Sequence, residues 1–344
     1  EERIAIRPTS EAIICATYSE WVQSWRDLPI LINQWANVVR WEKVTRLFLR
    51  TREFLWQEGH TAHATAEECE EEAIKMLGVY KEFAEDLLAI PVIVGRKSEA
   101  QKFPGAVHTY TIEALMSNGW ALQVGTSHNL GQHFAKVFDI KYLDQNQQQQ
   151  YVWQTSWGVS TRLVGGVIMT HGDNAGLILP PKIAPIQAII VPIIFDKSRN
   201  EVLDKVNQHI NILSDKIRVE ADLRDEYTPG WKFNDWELKG VPIRIEVGPR
   251  DVKNKQVVIV RRDTREKMII NETELKDTVE KLLDDIQNNL FQRAKEFRDS
   301  HTYDVDDFAT FESIMKEGRG FIRANWCGSG DCEKTIQEKT IATI

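Results

Sequence analysis

An α+β domain, an antiparallel sheet with helices, followed by a small α/β domain is the fold that the sequence predicts, on three observations. Before residue 180, strand-like segments recur: an adjacent antiparallel pair within Val39 to Glu58, then Ile90 to Val94 and Ala121 to His128. Leu179-Pro180-Pro181-Lys182 then breaks the chain, and a domain boundary is placed at 183/184. Beyond it, strands and helices alternate over about 100 residues, the pattern of a small α/β domain.

The 344 residues suit two or three domains, drawn here as 1–183, 184–285 and 286–344. With 42% apolar and 27% charged residues, the composition is that of an ordinary globular protein. No apolar run is long enough to span a bilayer, and no signal-peptide pattern precedes the first motif. Four scattered cysteines are too few for a disulfide framework, which favours a reducing, cytoplasmic setting. The first residue is Glu1 rather than Met, and the chain is expected to be the interior of a longer protein. The net charge of −8 argues against a nucleic-acid binder, but Lys239 to Lys267 holds nine Lys/Arg against four Asp/Glu. A local basic excess permits RNA binding within an acidic whole.

In chain order, Ile4-Ala5-Ile6 reads as a strand entering a helix at Pro8-Thr9-Ser10-Glu11. Capping and dipole compensation account for those residues blandly. The alternative has Thr9 and Glu11 facing a pocket for a small cationic amine. Trp21, Trp25 and Trp35 read as core. Next, an apolar run ends in Arg40-x-Glu42, a charged loop follows, and then Arg50-x-x-x-Phe54-x-x-x-Glu58. Phe48 to Phe54 reads as an alternating strand with Phe48, Arg50, Arg52 and Phe54 on one face. Guanidinium grips phosphate and an aromatic ring stacks on a base, so that face suits a nucleotide. A solvated charged hairpin is the competing reading.

Thr65 with Glu68 is a capping box, opening a helix with Ala73, Met76, Leu77, Tyr80, Phe83, Ala84, Leu87 and Leu88 at helical spacing. The acid run Glu67 to Glu72 reads as its solvated first turn, and His60 with His63 as structural. Gly95 to Gly105 is a polar loop, and Tyr110 to Met116 a second strand or short helix. The strand Ala121 to His128 can present Gln123, Thr126 and His128 to one cavity, although a lone histidine is by default a core residue. Asp144 to Gln150 is a polar hairpin tip. In Ser156 to Arg162, a glycine that admits a ligand precedes an arginine one turn inside a helix, an arrangement suited to anions.

After the break, Ile186 to Ile194, Val219 to Leu223, Val241 to Val247 and Gln256 to Arg261 read as strands. Asn200 to Leu213 reads as an amphipathic helix, and Ile270 onward as helix-rich. Cys327-Gly-Ser-Gly-Asp-Cys332 offers two of the four ligands of a closed zinc site.

With these residues on the page, the chain resembles the prolyl-tRNA synthetases, class II aminoacyl-tRNA synthetases, of the archaeal and eukaryotic-cytosolic kind. Arg40 to Glu58 looks like class II motif 2, Pro8 to Glu11 like the family's Thr-x-Glu loop, and Gly158 to Arg162 like motif 3. Pro229-Gly230-Trp231-Lys232-Phe233 through Gly248-Pro249-Arg250-Asp251 looks like its anticodon-binding domain, and Cys327 to Ile344 like the start of its small α/β zinc-binding-like domain. Motif 1 and the second cysteine pair are missing. Only about a hundred residues separate motifs 2 and 3, too few for the large editing insert of bacterial-type members.

The resemblance implies that L-proline and ATP form prolyl-adenylate, and that the prolyl group passes to the 3′ end of tRNA(Pro). It implies Mg²⁺ on the phosphates, Zn²⁺ at Cys327 and Cys332 as half of a possible site, and a homodimer. Arg40, Arg50 and Arg162 are the implied catalytic cations. Arg40, Glu42, Arg50, Thr51, Phe54, Gln123, Thr126, Ser160 and Arg162 would take ATP. Thr9, Glu11, Arg40, Trp56, His128 and the Trp157-Gly158 backbone would take proline, and Phe233, Glu237, Arg244 and Arg250 the anticodon. A fusion partner upstream and a non-catalytic, RNA-binding or regulatory paralogue are the other readings.

Overall fold

A computed structural model describes residues 5–343. The chain divides into two compact units, one comprising the chain up to Ala84, Pro91–Gly166 and Arg298 onward, the other Glu85–Ile90 and Val167–Phe297. In the first unit the strands are β1 (Ile30–Val39), β2 (Glu53–His63), β3 (Val92–Arg96), β4 (His108–Leu115), β5 (Ala121–Gly131) and, beyond the hairpin of β6 (Lys141–Leu143) and β7 (Gln149–Tyr151), β8 (Trp153–Ser160). Six of them form one sheet in the order β1-β2-β8-β5-β4-β3. Every pairing in it is antiparallel, as the sequence predicts for this domain.

The helices α1 (Glu11–Trp21), α2 (Ala66–Glu82), α3 (His133–Val137) and α4 (Arg162–His171) accompany the sheet. One sheet face is closed by α2, whose Tyr80 hydroxyl donates to Gln57 (2.6 Å) and whose Ala73 carbonyl accepts from Ser127 (2.7 Å). Thr65 caps α2 as the sequence predicts, accepting from the Glu68 amide at 3.2 Å, while the Glu68 carboxylate takes the Ala64 amide at 3.1 Å.

Several expectations need correction. Phe48 to Arg52 is not strand: Phe48 sits at φ +58°, and β2 begins only at Glu53. Arg46 and Arg50 exchange backbone hydrogen bonds (2.7 and 2.9 Å), so the segment is a tight loop, and Arg50 does not share a strand face with Phe54. Trp35 is 84% exposed and Trp21 56%, so neither is core. Trp35 projects from the edge strand β1, a position that a single strand's pattern cannot reveal. The acid run of α2 is not wholly solvated, because Glu72 is buried beside Lys75 and Glu70 bonds Tyr110 and Asn129. No strand forms at Ala5 and Ile6, and Ile4 lies outside the described residues.

The second unit holds β9 (Ala188–Pro192), β10 (Val219–Ala221), β11 (Ile243–Val247), β12 (Gln256–Arg261) and β13 (Lys267–Asn271) in the order β10-β9-β11-β12-β13. β9 pairs in parallel with β10 and β11, and the last two strands add antiparallel. Its helices are α5 (Arg199–Leu213), α6 (Pro229–Leu238), α7 (Pro249–Asn254) and α8 (Leu275–Ser300), the last running on into the first unit. Ile190, Ile243, Ile245 and Ile259 of the sheet pack with Val206 of α5 and Val279 and Ile286 of α8 into one buried cluster. The sequence pattern misses β13, whose charged flanks hide a short edge strand.

From Arg298 onward the chain groups with the first unit. Here β14 (Thr302–Val305) and β15 (Phe321–Ala324) pair in parallel, with α9 (Phe308–Glu317) between them and α10 (Gly330–Thr340) after.

Candidate active site

The sheet face opposite α2 carries an open cleft, floored by the three central strands. Strand alternation makes it: β2 contributes Phe54, Trp56, Glu58 and His60, and β8 contributes Ser156, Gly158 and Ser160, each set two residues apart. On β5 the lining residues Gln123, Thr126 and His128 break that rule, an odd position with two even ones. The register shift where Ile112 and Glu113 of β4 pair with Gly125 and Gln123 resolves it, since Val124 is bulged and the parity changes there. The first residues of α1 and α4, Glu11 and Arg162, and the loop residue Arg40 complete the walls.

At one end the groups are cationic. Arg40 Nε donates to the Pro8 carbonyl (2.8 Å), and its guanidinium lies 5.3 Å from the Phe54 ring and 5.4 Å from that of Trp56. Arg162 donates to the carbonyls of Leu49 (2.9 Å) and Gln123 (3.2 Å), so it joins the loop before β2 to the bulged strand. Burial, and then the charges of Arg50 and Arg40, push Arg162 below the usual guanidinium range. Three cations converge faster than carboxylates neutralise them, an arrangement that an anion would complete. Arg50 and Glu42 form a loose pair (3.6 Å) in the loop, outside the lining, and Thr51 donates to the Glu53 carbonyl (2.6 Å).

At the other end the groups are acidic and buried. Thr9 donates to Glu11, and Ser10 to Glu58, so neither hydroxyl caps α1, which corrects the capping expectation. Glu58 also accepts from Gln34 (2.6 Å) and contacts His60 Nε2 (3.1 Å). Burial alone would raise this carboxyl, but the bonds from His60, Ser10 and Gln34 outweigh it and hold it low. His128 bonds the Thr109 hydroxyl (2.9 Å) and lies against the Phe103 ring, 4.7 Å between centroids. Burial pushes its imidazole down to about 4, so it is neutral at physiological pH.

Trp157 contributes backbone to the cleft: its indole crosses over Gly59 to meet Tyr80 edge-on, 6.4 Å between centroids. Gly158 lets β8 approach β2 closely, because a Cβ there would stand 3.0 Å from the Gln57 carbonyl, a tight contact with backbone. Trp56 Nε1 and Ser156 Oγ are buried with no partner among the described residues, polar atoms that an occupant can satisfy.

Of the residues expected to bind substrates, Glu11, Arg40, Phe54, Trp56, Gln123, Thr126, His128, Trp157, Gly158, Ser160 and Arg162 line this cleft. Thr9 stands behind Glu11, and Glu42, Arg50 and Thr51 belong to the loop. Sequence reading missed Ser10, Glu58 and Ser156 as a buried polar floor with the half-buried Gln34 beside it, and Phe103 and Thr109 behind His128. Ser156 and Thr109 each face His128 across a strand pair, a relation that only the sheet register reveals.

In the second unit, Glu237 and Arg244 share a cleft with Arg261, Arg262, Arg265 and Lys267. Arg244 lies 4.2 Å from the Phe233 ring centroid and pairs with Glu246 (3.0 Å). Arg250 stands apart from that cleft, exposed in the first turn of α7. Cys327 and Cys332 contact one another, but no His, Cys, Asp or Glu group of three or more capable of holding a metal occurs among the described residues. Two thiols alone do not close a zinc site.

Comparison with known families agrees with this geometry. Residues 1–171 match the model of the tRNA synthetase class II core domain (G, H, P, S and T), and residues 187–284 that of the anticodon binding domain. The chain is 59% identical over 343 residues to a proline–tRNA ligase of Natranaerobius thermophilus, covering 100% of this chain and 71% of that protein. It is 57% identical to one from Alkaliphilus oremlandii, with the same coverage. To proline–tRNA ligase 2 of Clostridioides difficile it is 53% identical over 345 residues, again covering 100% of this chain and 71% of the relative. These relatives are bacterial.

Proposed function

The chain belongs to the proline–tRNA ligases, and from that premise we propose how its residues divide the work of an ATP-dependent class II ligase. The reaction has two steps. A proline carboxylate oxygen attacks the α-phosphorus of ATP and pyrophosphate leaves; the terminal ribose hydroxyl of tRNA then attacks the adenylate carbonyl and AMP leaves. Neither step needs covalent help from protein, so positioning and charge neutralisation carry the catalysis.

Arg40 and Arg162 in a cleft that Glu11 also lines, with the loop cation Arg50 close enough to depress Arg162, carry this reading. Arg40 bridges carboxylate and α-phosphate. Arg50 and Thr51 take the outer phosphates, and Glu42 the adenine edge. Phe54 and Arg162 sandwich the base, with Gln123, Thr126 and Ser160 beside it. Glu11, steadied by Thr9, offsets the secondary ammonium of proline, while Trp56, His128 and the Trp157-Gly158 backbone wall the ring. The uncompensated arginines suit a triphosphate carrying Mg²⁺, an ion that phosphate oxygens and water mostly ligate. Cys327 and Cys332 supply two thiols toward a zinc ion.

Phe233, Glu237, Arg244 and Arg250 are assigned to unstacked anticodon bases, where rings stack and Arg or Glu read edges. The short span between Glu58 and Trp157 supports an architecture without an inserted editing domain, as in the archaeal and eukaryotic-cytosolic kind, in a chain whose named relatives are bacterial. A homodimer is supported by the apolar face of the edge strand pair, where Leu31, Trp35 and Leu55 stand exposed. No helix among the described residues is long and apolar enough to cross a membrane, and a cytoplasmic site of action accords with the chemistry.

Pyrophosphate exchange into ATP tests the reading. Proline should drive it, and Arg162→Ala should cut kcat/KM by about 100-fold or more, as loss of a transition-state charge contact does. Proline-independent exchange, or a fully active Arg162→Ala enzyme, would refute it.

A further inference from the structure

We infer that Thr109 is a positioning residue that fixes the tautomer of His128, so that the imidazole presents an Nε2–H donor to the carboxyl oxygen of proline and then to the carbonyl of its adenylate. The inference rests on the assignment of His128 to the proline end of the cleft.

Hydrogen-bond direction carries the argument. Thr109 is 3% exposed and faces His128 directly across the β4–β5 pairing. Its Oγ1 accepts the backbone N–H of Phe103 at 2.9 Å. The same oxygen lies 2.9 Å from His128 Nδ1. No other partner of Thr109 Oγ1 occurs among the described residues. Were Nδ1–H to donate to the second lone pair of Oγ1, the buried hydroxyl proton would have no acceptor; donation to Nδ1 satisfies it, so Nδ1 is the acceptor. A neutral imidazole that accepts at Nδ1 carries its proton at Nε2. Its depressed basicity keeps it neutral across the working pH range.

The surroundings hold this polarity in place. Phe103 supplies the backbone N–H and also the ring that lies against the imidazole, so one residue sets both the direction of the relay and the plane of the donor. Phe103 itself is held by the turn in which the Gln101 and Lys102 amides donate to the Ser98 carbonyl (3.1 and 3.0 Å). The Ser98 hydroxyl in turn donates to the buried carboxylate of Glu333 at 2.8 Å. A neutral N–H donor beside the reacting carboxyl suits both steps. It orients the carboxylate without neutralising it as a nucleophile, and it faces the oxyanion that develops during transfer. An imidazole protonated at Nδ1 would instead point its Nε2 lone pair at oxygen.

The test compares Thr109→Val, which keeps shape and loses the hydroxyl, with Thr109→Ser, which keeps it, in pyrophosphate exchange by the full-length enzyme. Thr109→Val should raise KM for proline about tenfold with KM for ATP unchanged, and Thr109→Ser should return to within about twofold of wild type. An unchanged KM in a folded Thr109→Val protein, or a serine variant as poor as the valine one, would overturn the inference. Should Thr109→Val fail to fold, ¹⁵N spectra of histidine-labelled wild type decide it, with His128 assigned by its disappearance in His128→Gln. Protonated Nε2 supports the inference and protonated Nδ1 overturns it. If His128→Gln leaves KM for proline unchanged, the assignment of His128 falls and this inference with it. If that variant raises KM while Thr109→Val does not, the tautomer argument alone falls.

Discussion

A buried carboxylate in the first turn of a helix is unremarkable until its partners are counted. Glu11 is 7% exposed, and the only side chain that bonds it among the described residues is the neighbouring Thr9 hydroxyl. Glu58, two strands' width of sequence away, is saturated by Ser10, Gln34 and His60. Of the two acids, Glu11 therefore has capacity left for an ammonium, and Glu58 serves as a rigid floor. Glu11→Gln keeps size and hydrogen bonding while removing the charge. Because charge-assisted bonds contribute about 1.5–3 kcal/mol, KM for proline should rise roughly 10- to 100-fold. KM for ATP, measured in the same exchange assay, should stay within about twofold. An equal rise for both substrates would instead mark Glu11 as structural.

At the scale of elements, the site depends on how β2 and β8 pack their outer face as much as on what they show the cleft. Gly59 pairs with Trp157, and a Cβ on Gly59 would lie 2.0 Å from the indole. That ring is 7% exposed and pinned against Tyr80, so it has little room to turn away. Gly59→Ala should cost about 1–3 kcal/mol by overpacking, read as an earlier midpoint in urea denaturation. An unshifted midpoint would mean that the indole can leave. Such strand pairings also decide what could be read from sequence. Motif 2, the Thr-x-Glu start of α1 and the strand of Gln123, Thr126 and His128 were legible, because each is a local string with a chemical reason. The bulge at Val124 was not, since parity is lost only when β5 is laid against β4. Nor was the loop at Phe48, where an alternating pattern imitates a strand while a positive φ turns the chain. Trp35 misled for a related cause: it stands exposed on β1, and that β1 is the free edge of the sheet is absent from any one-dimensional pattern.

For the whole molecule, an enzyme with a net charge of −8 must draw a polyanion to chosen places. The cations of the second unit are mostly committed: Arg244 to Glu246, Arg261 to Asp263, and Arg262 to Asp173. Arg250 differs, exposed in the first turn of α7 with no side-chain partner among the described residues. Removing Arg244 would leave the buried Glu246 with Lys267 (2.7 Å) as its remaining cation, and any loss of tRNA binding would be mixed with strain on the fold. Arg250→Ala separates the two, because a solvated cation can be deleted at little cost to stability. KM for tRNA should rise about 3- to 30-fold, the worth of one lost contact to base or phosphate, with a shallower salt dependence if the contact is to phosphate. The cleft proposed for pyrophosphate exchange belongs to the other unit, and exchange needs no tRNA, so its rate should be unchanged. A variant that loses both activities together would show Arg250 supporting the fold, and one that loses neither would remove it from the anticodon set.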